Sequence, residues 1–344
     1  MSYDLATERS DKSFIKVPGF YFCKFNSVIL FDHLKKEIII SEQDAKSKSL
    51  IQNFVKLIFN KKTSSARVFS PAKSNFSDAE YKQAVEKIKT KIFDGDFYEA
   101  NLTRKFFGNC DVKNPFQIYK EITRQYKVGY GAFANLSEIN IISVSPERFI
   151  QFRDRKILSR PIKGTIKSGK NSYENSKLRQ ILASSIKDKA ENLMIVDLMR
   201  NDLSKYCDMG SVRVKNLFNT EVYKNVIHMH SDIEGVVSLK EDFPLCLINA
   251  FPPGSMTGAP KKIVIETCSN IEKCPRGLYS GILGYYHPDF ADFSVVIRTL
   301  LIKKDKYEFQ VGGAIVADSD PEKELNEIYA KAKPFKKHIQ YEKT

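Results

Sequence analysis

The sequence contains no apolar run approaching the roughly 18 residues that a membrane-spanning helix needs. Its six cysteines, Cys23, Cys110, Cys207, Cys246, Cys268 and Cys274, follow no CxxC or zinc-ligand spacing, and no signal peptide precedes them. These absences exclude a helical membrane protein, a disulfide scaffold and a zinc module, and lead us to expect reduced thiols in a soluble, cytoplasmic protein. Also missing are an RNP-type motif, a helix-turn-helix signature and an arginine-rich tail. The net charge of +14 would signal a nucleic-acid partner if it were clustered. Lysines instead run the whole length with acids between them, which reads as a solvated surface. Steering of a small anionic substrate and a basic nucleic-acid-binding protein are the alternatives. No internal repeat or low-complexity segment interrupts the chain. Its 344 residues, 42% hydrophobic and 28% charged, suit two average domains or one large α/β or α+β domain.

Short β-favouring runs open the chain, at Phe20 to Phe22, Val28 to Phe31 and Ile38 to Ile40, and are expected as strands of a sheet. Leu50, Ile51, Phe54, Val55 and Ile58 then fall on one face of an amphipathic helix. Between Lys61 and Asn75 periodicity is lost and Pro71 intervenes, so this stretch is expected as an exposed connection and the one plausible boundary. Beyond it Ser77 and Glu80 make a capping box and Phe76 and Tyr81 a hydrophobic staple. Tyr81, Ala84, Val85, Ile88 and Ile92 form the buried face of a helix ending near Gly95. A strand through Thr103, a helix over 116–126 and short β runs from Tyr130 to Thr165 follow. Adjacent strands with short connections imply antiparallel pairing, hence an α+β fold. A long helix is expected over 172–206, with Leu193, Val196, Met199 and Leu203 as its apolar stripe.

The chemistry centres on Pro161-Ile162-Lys163-Gly164-Thr165, which sets one lysine between a proline and a glycine. Proline restricts the backbone and glycine frees it, so a short turn can hold Lys163 in one direction. An amine becomes nucleophilic when burial or a cationic neighbour lowers its pKa, and Lys167 lies just beyond. Ser145-Pro146-Glu147 ends an earlier strand, where a buried Glu147 carboxyl could act as general acid and then as base. Asp188 and Glu191 stand at i, i+3 on one helix. Glu324 and Glu327 repeat that spacing on a C-terminal helix opened by Asp320-Pro321, with Lys331 one turn on. Two such faces could hold one hard, octahedral ion such as Mg²⁺. Asp197, Arg200 and Asp202 read as charges satisfied by local pairing. His228, within His228-Met229-His230-Ser231, could orient a substrate or relay a proton. The glycine-bearing loop from Phe251 to Lys261 runs into a helix and offers N–H groups to an anion, without the Gly-Lys-Ser/Thr ending of a phosphate loop. Arg298, inside an apolar strand, needs an anionic partner if it faces inward, and a carboxylate would satisfy it bidentately.

Taken in order, Ser145-Pro146-Glu147, Pro161 to Thr165, Glu191 to Leu203, His228 to Ser231, Gly254 to Lys261, Gly281 to Tyr285, Ile297-Arg298-Thr299 and Gly312 to Lys331 resemble the chorismate-utilising enzymes. The resemblance covers roughly residues 76 to 335. It implies a single large α+β domain of two stacked, mainly antiparallel sheets flanked by helices. Residues 76–335 would be the chorismate-binding catalytic domain, 1–75 a short N-terminal region of the same globule and 336–344 a tail. Lys163 stands where anthranilate synthases carry alanine. The Pro-Ile-Lys-Gly-Thr form resembles the branch that aminates chorismate for 4-aminobenzoate and folate synthesis, the aminodeoxychorismate synthases. Anthranilate synthase component I is the alternative within the family. Isochorismate and salicylate synthases carry a water-activating lysine at the position of Glu99, which this chain lacks.

The resemblance implies that Lys163 attacks C2 of chorismate while Glu147 protonates the departing 4-hydroxyl, and that ammonia then adds at C4 and displaces the lysine. It implies Mg²⁺ on Glu191 and Glu327, with Asp188 and Glu324 supporting through water. Thr165, Thr257, Gly258, Tyr285, Arg298, Gly313 and Lys331 would bind the substrate, with His228 near the ring. The implied partners are chorismate and either ammonia or a separate glutamine amidotransferase subunit, because the chain carries no glutaminase domain; nucleic acid and membrane are not expected. Several positions depart from the family pattern. Asp188 replaces a more usual glutamate, Glu99 a frequent glutamine and Asn192 a frequent histidine. The N-terminal region is shorter than in the larger relatives, which counts against a regulatory tryptophan pocket.

Overall fold

The computed structural model describes residues 1–7, 13–42, 66–126, 128–223 and 226–341; the amphipathic helix expected around Leu50 to Ile58 lies outside them. Strands β1 (Ser27–Asp32) and β2 (Glu37–Glu42) pair with each other as a hairpin, whereas Phe20 to Phe22, expected as a strand, form none. The supposed open connection holds β3 (Arg67–Phe69) and β4 (Lys73–Ser74), which precede α1 (Asp78–Phe93). The start of α1 follows from its sequence. Ser77 Oγ accepts from the Glu80 N–H, and Glu80 Oε2 accepts from the Ser77 N–H at 2.8 Å. The Phe76 ring meets Tyr81 edge-on. Tyr81, Ala84, Val85 and Ile88 are buried, and Gly95 just past the end adopts φ +84°, open to glycine at no cost.

Next come β5 (Glu99–Val112), α2 (Pro115–Gln125), β6 (Tyr130–Leu136), β7 (Ile139–Ser145), β8 (Arg148–Arg153), β9 (Lys156–Arg160) and β10 (Ile162–Lys167). The long helix expected over 172–206 is two, α3 (Ser172–Ser184) and α4 (Ile186–Ser204). Ser185 breaks it: its backbone is extended and its Oγ accepts from the Asp188 N–H, which caps α4. The buried face of α4 is Asn192, Ile195, Val196, Met199 and Leu203, so Leu193, expected in the apolar stripe, points outward at 50% exposure. Then follow β11 (Arg213–Val222), β12 (Val226–Val236), α5 (Phe243–Ala250), β13 (Gly258–Ala259), α6 (Lys261–Ile271), β14 (Ile282–His287), β15 (Phe290–Val295), β16 (Thr299–Lys303), β17 (Lys306–Ile315) and α7 (Pro321–Ala332).

Two antiparallel sheets stack with helices against them, an α+β fold. The larger runs β13-β5-β17-β16-β7-β6, with β3 and β4 added to β5; the smaller runs β10-β12-β9-β8-β15-β14, with β11 added to β12. Residues of α1, α2, α6 and α7 share one hydrophobic core with the larger sheet, and α4 and α5 share another with the smaller. Ile339 and Tyr341 enter the first core, so the segment expected as a tail over 336–344 is packed structure as far as the described residues reach. Among the described residues no helix is long and apolar enough to cross a membrane.

Candidate active site

A cavity of about 510 Å³ opens between the sheets, lined from β5 and β17 on one side and from β10 and β12 on the other. Lys163 reaches it through a bulge rather than the turn expected from its neighbours. Opposite β12, Ile162 pairs with His230 and Thr165 with His228, so β10 carries one residue more than its partner over this stretch. Such an insertion re-aims a side chain. Gly164 takes φ +87° here, where a side chain would be strained, and a Cβ on it would lie 3.0 Å from Asp188, crowding the close approach of α4. Lys163 Nζ lies 2.6 Å from Oε1 of Glu99, the first residue of β5. Burial works to lower the lysine pKa, and the charges of Glu99 and then Glu191 outweigh it, so the amine is held above its ordinary value.

Glu147 occupies the link between β7 and β8 and is buried. Burial pushes its carboxyl up to about 7, against hydrogen bonds from Ser255 and the Ile162 N–H and the charge of Lys163. A carboxylic acid that still holds its proton near neutrality can donate it. His228 is buried on β12, with Nδ1 2.8 Å from Thr165 Oγ1, and burial, then Arg298, lowers its pKa to about 4. It is a neutral ring that orients by hydrogen bonding. Arg298 is not inside a strand, as expected, but in the link between β15 and β16. Its φ of +48° is a strained value for a side-chain-bearing residue. Its guanidinium lines the cavity without a hydrogen-bonded partner among the described residues, and burial lowers its pKa.

The two acid pairs expected from their spacing meet at this cavity: Asp188 and Glu191 from α4, Glu324 and Glu327 from α7. Burial raises Glu191 and Glu324, whereas Lys331 lowers Glu327, its Nζ 2.6 Å from Oε1 and donating also to Gly312 O at 2.7 Å. Glu324 Oε1 accepts from Ser319 and Oε2 is buried without a partner. Among the described residues no three His, Cys, Asp or Glu side chains converge closely enough to enclose a metal by themselves. Mg²⁺ does not need that: it keeps several waters and takes one or two carboxylates plus substrate oxygens. With Glu147 holding its proton, the lining sets the four carboxylates Asp188, Glu191, Glu324 and Glu327 against the four cations Lys163, Lys187, Arg298 and Lys331. That balance leaves no surplus positive charge for an anionic substrate, and together with the unpartnered Glu324 Oε2 it makes a donor set that fits Mg²⁺.

Other expected residues lie elsewhere. Tyr285 is no part of the cavity: β14 is the edge of its sheet, and Tyr285 sits on it at 59% exposure with its ring against Phe290. Thr257 is buried behind the lining, its hydroxyl donating to Gly254 O at 3.1 Å. Gly258 pairs with Ala100 of β5, and a Cβ on it would collide with the Glu99 carbonyl. Gly313 backs the acid pair, 3.3 Å from Glu324 Oε2 by the same measure. Sequence reasoning passed over Tyr279, Ser255, Asn101 and Gln310, which do line the cavity. Tyr279 carried a signal, an aromatic between the glycines at 277 and 281. Burial holds its phenol far above the usual range. A second cavity of about 500 Å³ adjoins Pro71 to Ser77, but its buried cation, Arg104, is already paired with Asp78 at 2.6 Å and Ser74 at 2.9 Å.

The sequence profile described as chorismate binding enzyme matches residues 1–337. The Arabidopsis thaliana protein named aminodeoxychorismate synthase, chloroplastic, is 42% identical over 273 residues, covering 77% of this chain and 29% of the relative. The Bacillus subtilis (strain 168) protein named aminodeoxychorismate synthase component 1 is 31% identical over 331 residues, 92% of this chain and 70% of the relative. The crystal structure of anthranilate synthase component I from Streptococcus pneumoniae TIGR4 superposes with a TM-score of 0.85 at 26% identity, over 97% of this chain and 78% of that one. This chain thus spans less than a third of the plant relatives' length.

Proposed function

Because this chain belongs to the chorismate-binding enzyme family, we propose that it aminates chorismate at C4, giving 4-amino-4-deoxychorismate for 4-aminobenzoate and folate synthesis. What carries this reading is the meeting of Lys163 and Glu147 in one cavity, a buried amine with a carboxyl that keeps its proton near pH 7. Lys163 attacks C2 and the 4-hydroxyl departs as water with the proton of Glu147. Ammonia then adds at C4, the C2–lysine bond breaks, and Glu147 takes back a proton from the new ammonium group. Arg298, unpartnered in the cavity wall, binds a substrate carboxylate, and the His228–Thr165 pair orients the ring. Glu191 and Glu327, with Asp188 and Glu324 behind them, would hold Mg²⁺, which neutralises the carboxylate charge of the bound substrate. The name component 1 borne by the Bacillus relative supports a second component that releases ammonia from glutamine. All six cysteines are free, as suits a reducing compartment such as the cytoplasm.

Intact-protein mass after incubation with chorismate and Mg²⁺, without ammonia, tests this. The wild type is expected to gain a covalent adduct that Lys163→Ala does not, and an ammonium salt is expected to release it as 4-amino-4-deoxychorismate. Fluorescent anthranilate as the product would move the chain to the other branch. Intact chorismate and no adduct, with a glutaminase component supplied, would overturn the reading.

A further inference from the structure

We propose, resting on Lys163 as the nucleophile, that Glu99 is a further catalytic residue: it takes the proton from the Lys163 ammonium before attack and returns it when the lysine departs. An ammonium has no lone pair to attack with. A substrate bearing carboxylates favours that charged form once it fills the cavity, so the proton must leave to a base within reach. Glu99 Oε1 stands 2.6 Å from Nζ, the one carboxylate within ion-pair distance among the described residues.

Glu99 is built to stay there. It is 1% exposed, begins β5, and pairs through its backbone with Ala259 of β13. Only a glycine at 258 leaves room for its carbonyl. Its other oxygen, Oε2, is buried without a partner, an uncompensated group of the kind a folded protein retains where it has work to do. The pair also crosses from the larger sheet to the smaller, so the distance is set by two rigid frameworks.

The proton balance closes. In the resting site Lys163 is an ammonium and Glu99 a carboxylate. Transfer gives a neutral amine and a carboxylic acid; the amine bonds to C2 as the Glu147 proton leaves with the 4-hydroxyl. When ammonia has added at C4 and the C2–N bond breaks, the freed amine recovers its proton from Glu99. Glu147 handles only the C4 side, so the two carboxyls divide the work.

Rapid-quench intact-mass kinetics of adduct formation, with chorismate and Mg²⁺, separate this role from a merely structural one. Glu99→Gln keeps the shape and is expected to form adduct about 10²-fold more slowly, with chorismate affinity by calorimetry within about twofold of wild type. Glu99→Asp, one methylene short, is expected to fall between. An adduct rate in Glu99→Gln within about threefold of wild type would overturn the proposal and leave the nucleophile reading standing. A loss confined to affinity would also overturn it, by making Glu99 a positioning residue. Absence of adduct in the wild type, with product still formed, would sink both readings.

Discussion

Two arginines at the cavity wall, one buried behind it and one half-buried within it, differ in every respect that matters. Arg276, behind the wall, spends all its donors: Nε and Nη2 on Glu272 at 2.9 and 2.6 Å, Nη2 also on Asn101 O at 2.6 Å, Nη1 on Met256 O at 2.7 Å and Ser280 Oγ at 3.3 Å. Its plane lies over the Tyr3 ring. The Arg298 guanidinium, in the wall itself, has no hydrogen-bonded partner among the described residues, and the residue has a strained backbone. Both are arginines in low-dielectric surroundings, yet one is satisfied by protein and the other waits for something else. A satisfied buried charge is architecture. An unsatisfied one, like an orphaned carboxylate oxygen, is an opening for a ligand.

The sharpest way to press this contrast is to compare removals. Glu147→Gln, on the cavity side, is expected to slow adduct formation by 10²–10⁴-fold. It should also stabilise the fold at alkaline pH. Burial lifts the Glu147 carboxyl up to about 7, above its unfolded value, so the wild type loses stability as pH rises through that window and the amide does not. Melting at pH 5 and pH 8 checks the sign. Arg276→Met, on the other side, is expected to cost about 3–5 kcal/mol, because it strands Glu272 as an unpaired buried charge; chemical denaturation reads it. Arg298→Met should do the reverse, raising KM for chorismate about 10–100-fold, as a lost charged hydrogen bond does, with no drop in melting temperature. Should Arg298→Met unfold the protein as Arg276→Met does, the contrast would break. Smallest of all, Tyr285→Ala is expected to leave kcat/KM within about twofold of wild type and stability within about 0.5 kcal/mol.

Local patterns were legible in the sequence where their causes are local. The capping box at Ser77, and the acid pairs at 188/191 and 324/327, depend on spacing within one helix, and the helix supplies the geometry. The aim of Lys163 was not legible. It depends on one extra residue in β10 relative to β12, and register is set by a partner strand more than sixty residues away. Nor was the Lys163–Glu99 pair, whose members sit in different sheets. Tyr285 is a substrate-binding residue by the resemblance alone, and the sequence does not set it apart from Tyr279, since both stand near glycines in β-like text. Only the sheet order, which makes β14 an edge, separates them. The break at Ser185 was missed because a serine that caps a helix and one that rides on it look alike until the backbone is known.

The pairing of β5 with β17 has a consequence for how the chain is made. Ten residues of each strand are joined, from Asn109 with Lys306 to Ala100 with Ile315, across roughly 200 intervening residues. At about 5–20 residues per second of synthesis, β5 emerges some 10–40 s before its main partner. The strand that carries Glu99 is therefore unpaired along that edge while the roughly 200 intervening residues are made. A ribosome-bound chain halted before Lys306 should be a substrate for chaperones and for self-association, and should hold no active site.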